Sequence, residues 1–225
     1  MNKNTKKLVV SAVMLALATV LSLLKIWKMP WGGSVTLFSM LPIIVVGYMY
    51  GTRWGLLTAF TYSLLQMLLG ITFSQSFAGL EGWDVFFMAA FDYVVAFTVL
   101  GLGGVFRKCC KNGLVALLLG AALAVLLRFA AHWASGAILW GSYAEWFFTD
   151  PDAFTAVAPE LCSSIMNSFS GTGLACIYSL VYNGCYMIPE LIIHLAGCAV
   201  IYAVKPLREL IAGKAPKKSE DAPAA

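Results

Sequence analysis

Apolar runs close to twenty residues long recur along this chain with few charges inside them. A bilayer core about 30 Å thick needs about twenty such residues per helix, and a helix satisfies its own backbone there. This feature bounds the fold more tightly than anything else in the 225 residues. Composition closes the other routes: 60% of the residues are hydrophobic, 12% are charged, and the mean hydropathy is +0.83. A soluble domain of this length carries about 25% charged residues, and a disordered chain is more polar still. Cys109, Cys110, Cys162, Cys176, Cys185 and Cys198 show neither metal-ligand spacing nor a compact disulfide framework, so they read as small apolar residues. The fold class expected is an all-α integral membrane protein.

Six spans are expected: Leu8 to Trp27, Leu37 to Tyr50, Trp54 to Ile71, Val85 to Phe106, Leu114 to Trp140, and Ile177 to Val204. The second is short for a bilayer and its ends are the least defined. Ser163 to Gly173, rich in Ser, Asn and Gly, reads as loop or partial helix ahead of the sixth span. The basic start, Met1 to Lys7, resembles a secretory leader, but its apolar run leads into Lys28-Met29-Pro30 with no small-residue cleavage site and is kept as the first span. Residues 1–205 form one six-helix domain in this reading, and 206–225 form a disordered tail.

Charge orients the spans. With both termini cytoplasmic, every Lys and Arg except Lys25, Lys28 and Arg128 lies on the inner side, as the positive-inside rule requires. The outer loops hold Glu81, Asp84, Glu145, Asp150, Asp152 and Glu160. The net charge of +4 therefore belongs to span ends beside lipid headgroups and implies no nucleic-acid partner. The chain has no G-x-x-x-x-G-K-[ST] loop, no H-E-x-x-H and no G-x-S-x-G, so no ATPase or hydrolase signature is present. Solute moved uphill by such a chain draws its energy from an ion gradient or a partner.

Ionisable residues inside spans cost about 2.5 to 3.5 kcal/mol each on insertion scales, which marks them as functional candidates. They are Asp92, Arg128, His132, Glu190 and His194. At about 1.5 Å rise per residue, Asp92, His132 and Asn183 share a level roughly 9 to 12 Å below the outer end of their spans. Arg128 and Glu190 lie roughly 18 to 20 Å deep, and that matched depth predicts a structural ion pair, since an unpaired buried charge is strongly destabilising. A proton relay is the competing reading, but it needs a titrating member that a guanidinium does not supply. His194 has no obvious partner and reads as packing.

Arg128, His132, Gly136 and Trp140 fall on one helix stripe. Two readings stay open: a packing seam in which Gly136 admits a neighbouring helix, or a flat recess between an imidazole and an indole that accepts a planar cation. Tyr182 and Tyr186 read as interface anchors. The Asn183 carboxamide offers a donor and an acceptor suited to a heteroaromatic amine beside a ring nitrogen.

Asp92-Tyr93, the His132-x-x-x-Gly136-x-x-x-Trp140 stripe and Tyr178-x-x-x-x-Asn183-Gly184 resemble the thiamine-specific substrate-binding subunits (S-components) of energy-coupling factor (ECF) vitamin transporters. The resemblance runs from the first span through Val204. It implies six spans with both termini inside a prokaryotic cell membrane and a thiamine site near the outer face. It also implies dependence on a transmembrane coupling subunit and two ATPases, with ATP used by those partners, no cofactor or metal on this chain, and no enzymatic activity of its own. By the same resemblance Asp92 is the acidic site residue, followed by Tyr93. His132, Gly136 and Trp140 are the stacking face, Tyr178 and Asn183 make polar contacts, and the loop Lys28 to Thr36 is a lid with Trp31 as its aromatic cover. Ala12 and Ala16 on the first span match the small-residue motif with which the family docks onto its coupling subunit. Asp92 departs from the Glu more usual in the family, and the segment Tyr143 to Ile177 has no counterpart in the pattern. An S-component for another flat heterocycle, a small proton-coupled carrier and a ligand-free membrane scaffold are the alternatives. The carrier is disfavoured by the lack of internal repeats.

Overall fold

The computed structural model describes residues 2–29, 32–74 and 76–213. Helix α1 (Lys3–Leu23) leads into a hairpin of β1 (Lys25–Lys28) and β2 (Ser34–Thr36), paired antiparallel. Next come α2 (Leu41–Tyr50), α3 (Thr52–Phe73), α4 (Trp83–Lys108) and α5 (Gly113–Leu139). Two short helices, α6 (Ala144–Thr149) and α7 (Pro159–Ser168), precede the long α8 (Gly171–Ala203) and a terminal α9 (Lys205–Ile211). Among the described residues, α1, α3, α4, α5 and α8 are long and apolar enough to cross a membrane.

The expected second span is the main departure. It forms a helix of only 10 residues, and at about 1.5 Å per residue that rise covers roughly half a bilayer core. Leu41 to Tyr48 are all buried, so α2 is apolar all round because protein surrounds it. Its start is set by Pro42 in the first turn and by Phe38, whose positive φ of 60° turns the chain out of the hairpin. Its end is set by Gly51 at φ 88°, a conformation L side chains resist. Two other boundaries move. The last long helix begins at Gly171, six residues before Ile177, and residues 205–211, assigned from sequence mostly to the disordered tail, are helical. The rest of that tail, from Lys214, lies outside the described residues.

At the end of the bundle holding Lys108 and Lys205, helices meet backbone to backbone. A Cβ on Gly101 of α4 would collide with the main chain of Gly55 and Leu56 on α3, and one on Gly104 with Gly47 and Tyr48 of α2. Arg107 closes this end: its guanidinium donates to the carbonyls of Tyr48 at 2.8 Å, Met49 at 2.7 Å and Ala212 at 3.2 Å, capping α2 and α9 together. Helix α1 is the outlier, held to α3 by Trp54 Nε1 donating to Ser11 Oγ, Tyr62 to the Ala18 carbonyl and Gln66 to Ser22 Oγ. Its remaining faces, including Leu8, Val13, Leu17 and Val20, are exposed.

Gly101→Val should therefore cost about 3 kcal/mol, because neither backbone can yield. Gly184→Ala, where a Cβ would meet only Ile188 Cδ1 at 3.8 Å, should change stability by less than about 1 kcal/mol. Thermal unfolding of both variants in detergent gives the comparison, and equal shifts would mean that the close approach at Gly101 is not limiting.

Candidate functional site

A cavity of about 680 Å³ opens beneath the hairpin, bounded by α3, α4, α5 and α8. Asp92, Tyr93, His132, Gly136, Trp140, Tyr178 and Asn183, chosen from sequence, all line it. Trp31 lies outside the described residues. Ala12 and Ala16 are exposed on α1, away from the cavity.

Asp92 sits in a π-helical stretch, Ala89–Val95, of α4. The wider turn inserts a residue into the helix and commonly marks a functional position. One Asp92 oxygen lies 2.8 Å from His132 Nδ1, and the other accepts from Ser135 Oγ at 2.8 Å. His132 Nε2 accepts from Arg128 Nε at 3.2 Å, which leaves the imidazole proton on Nδ1, donated to Asp92. Asp92, His132 and Arg128 thus form one hydrogen-bonded chain of carboxylate, neutral imidazole and guanidinium. Arg128 also lies over the Phe97 ring at 4.3 Å.

That chain corrects the expected Arg128 to Glu190 ion pair. Among the described residues Asp92 and Glu190 each lie within 4 Å of a histidine nitrogen, of His132 and His194 respectively, and Arg128 makes no such contact with Glu190. Matched depth fixes a level along the bundle but not a direction around it. Arg128 meets His132 one turn along its own helix, and Glu190 is held by the hairpin. Glu190 Oε1 accepts from Thr36 N at 2.6 Å and from Thr36 Oγ1 at 2.7 Å. His194 proves to be a partnered structural residue: Met40 N donates to its Nε2 at 3.0 Å, and its Nδ1 donates to the Glu190 carbonyl at 2.6 Å. Nδ1 also lies 3.0 Å from Glu190 Oε2, but its hydrogen is aimed at the carbonyl, so Oε2 has no hydrogen bond of its own.

Asn183 is less available than its chemistry suggested. Its Nδ2 donates to Ser179 O at 2.9 Å and its Oδ1 accepts from Tyr186, so donor and acceptor are both engaged by the protein. Gly136 fits the seam reading locally, since Ser179 Oγ and Asn183 Nδ2 fill the space a Cβ would take. Trp140 ends α5 and lies tilted to Tyr143, 6.3 Å between ring centroids. The Tyr93 ring is stacked between Phe77 and Phe97, at 5.6 and 6.3 Å.

Among the described residues of the expected lid, Lys28 ends β1 and Ser34 to Thr36 form β2. Tyr182 donates to the Gly32 carbonyl at 2.9 Å, and Gly33 lies against the Tyr186 ring so closely that a Cβ would come within 2.6 Å of it. These two tyrosines are wall and latch residues as well as interface side chains. Their signal was in the sequence: Tyr178, Tyr182, Tyr186, Glu190 and His194 recur every four residues on one face of α8. The unassigned segment after Tyr143 also acquires a place. Phe147 of α6 is buried edge-on against Tyr178 at 5.1 Å and Tyr182 at 5.9 Å, while Tyr143 and Trp146 join the cavity wall.

Double-mutant cycles on stability test the revised pairing. Coupling between Glu190→Leu and His194→Ala should reach about 1 to 3 kcal/mol and exceed that between Glu190→Leu and Arg128→Met. The reverse order would reinstate the direct ion pair.

The model of the family described as "Thiamine transporter protein (Thia_YuaJ)" matches residues 8–147. Thiamine transporter ThiT of Bacillus subtilis (strain 168) is 31% identical over 211 residues, covering 89% of this chain and 90% of that protein. The solved structure of ThiT from Listeria monocytogenes superposes with a TM-score of 0.64 at 20% identity, covering 91% of this chain and 97% of that one, which is a likeness of fold. The chain is a multi-pass membrane protein of transport rather than an enzyme, and it belongs to the thiamine transporter protein family.

Proposed function

We propose that this chain is the thiamine-binding S-component of an ECF-type ABC transporter, taking thiamine from outside a bacterial cell and passing it inward with a transmembrane coupling subunit and two ATPases. The observation that carries the reading is the cavity beneath the hairpin, where a carboxylate at Asp92 faces aromatic walls that include Trp140 and Tyr178. Thiamine joins an aminopyrimidine to a permanently cationic thiazolium. Aromatic faces hold both rings, and a cation over an aromatic face gains up to about 2 kcal/mol when water is excluded.

Topology follows from charge. The glycine-packed end, with Arg53, Arg107, Lys108, Lys111, Lys205 and Arg208, is assigned to the cytoplasm, and the hairpin end to the outside. In this reading both termini are cytoplasmic and α2 completes a six-helix domain. The chain has no phosphate-cradling loop, so ATP is consumed by the partners. Docking to the coupling subunit is assigned to α1, whose Ala12 and Ala16 are exposed one turn apart on a helix that few neighbours cover.

Titrating detergent-purified protein with thiamine should quench tryptophan fluorescence. Trp140→Ala should abolish most of that quench and weaken binding by about tenfold or more. Unchanged affinity in that variant would remove Trp140 from the site, and no binding by the wild type would refute the thiamine reading. Ala16→Trp should leave thiamine affinity intact while abolishing uptake in cells that supply the coupling subunit and ATPases. Normal uptake would move the docking surface elsewhere.

A further inference from the structure

The charges lining the cavity do not cancel in pairs. Asp92 and Arg128 belong to one hydrogen-bonded chain through His132, so that carboxylate is balanced within two side chains of itself. Glu190, 2% exposed, has no cation of its own: Arg128, already bonded into that chain, is the cation whose charge also reaches it, so two carboxylates share one guanidinium. Only donors approach it: Thr36 N–H and Oγ1–H at Oε1, with His194 Nδ1 3.0 Å from Oε2. Two donors on one oxygen at 2.6 and 2.7 Å are at the short lengths of charge-assisted bonds and favour the ionised carboxylate. Its neighbour His194 adds no compensating charge, because Nε2 accepts from the Met40 amide and only Nδ1 carries a proton. Oε2 is buried with no hydrogen bond of its own. Lys25 and Lys28, the other cations on the lining, stand on the exposed outer strand of the hairpin, where water screens them.

We infer that Glu190 is a second carboxylate, in excess of the one guanidinium it shares with Asp92, that makes the cavity select a cation, beyond its part in holding the hairpin. The inference rests on the thiamine reading and adds a specificity residue to it. Glu190 lies seven residues beyond Asn183 on α8, about 10 Å along the helix axis. At the effective dielectric of a protein interior, a unit charge about 10 Å from a cation changes its Kd by on the order of tenfold. The effect acts at a distance, so Glu190 selects charge without touching the ligand. It also makes the anchor of the hairpin and the source of the field the same side chain.

The test compares thiamine with an uncharged analogue in which a thiophene ring replaces the thiazolium, by calorimetric titration of wild type, Glu190→Gln and Thr36→Val. The quantity read is the ratio of the two dissociation constants within each protein, which cancels differences in folded fraction. Glu190→Gln keeps an acceptor for Thr36 and loses the charge, and should reduce the preference for thiamine about tenfold. Thr36→Val keeps the charge and loses a hairpin contact, and should weaken both ligands together with the ratio unchanged. If Glu190→Gln does not fold, Glu190→Met in a Thr36→Val background, compared with Thr36→Val alone, removes the carboxylate together with the hydroxyl that bonds it and reads the same tenfold change. A Glu190→Gln ratio equal to that of wild type overturns the inference and leaves Glu190 as a hairpin anchor only. A wild type that binds neither ligand overturns the thiamine reading, and the inference falls with it.

Discussion

Inside a bilayer a buried polar atom that no other polar atom of the protein answers is costly, because hydrocarbon offers none. This one constraint organises the hairpin end of the molecule. Asp92 is answered by His132 and Ser135, His132 by Arg128, Asn183 by Ser179 and Tyr186, and His194 by Met40. The hairpin brings its own backbone into the same accounting, since Thr36 N–H is satisfied by Glu190 and the Gly32 carbonyl by Tyr182. A two-stranded sheet is marginal on its own in water. Its position over the cavity is therefore dictated by α8 more than by its own ladder.

The opposite end obeys a different rule. There the helices bury backbone against backbone through Gly47, Gly55, Gly101 and Gly104, so little side-chain volume remains to form a void. Helix α4 joins the two regimes: its 3₁₀ segment Val99–Lys108 threads the glycine contacts, and its π segment Ala89–Val95 presents Asp92. The cavity lies at the end where polar pairing, rather than close packing, determines the geometry.

Much of this was legible in the sequence, and what was not has definite physical causes. Run length and hydropathy located five long helices, and His132, Gly136 and Trp140, put on one helix stripe by their spacing, line the cavity together. Helix α2 starts later than its apolar run, because Leu37, Phe38 and Met40 continue that run in composition while the positive φ at Phe38 keeps them in the turn. Arg128 and Glu190 were matched by depth, but azimuth decides contacts, and a partner at i+4 on the same helix outcompetes one across the bundle. The π turn at Asp92 left no pattern, because an added residue in an apolar run leaves composition unchanged. Ser135 and Ser179 were passed over as small helix residues, although each answers a polar atom in the wall.

The two regimes have unequal consequences for change. Substituting a glycine at the packed end forces main chains apart, and its cost falls on stability. Substituting a polar residue at the hairpin end leaves a partner unanswered, and the cost is shared between stability and the shape of the cavity. Tyr182 illustrates the second case: its hydroxyl holds Gly32, its ring rests on Phe147 of α6, and its side chain lines the wall. The segment after Trp140, whose Phe147 and Phe148 are buried, is thereby tied to the hairpin through Tyr182. Separating the hairpin from α8 breaks both the Glu190 contact with Thr36 and the Tyr182 contact with Gly32. Both contacts originate on the same face of α8, so that face governs both the wall of the cavity and its cover.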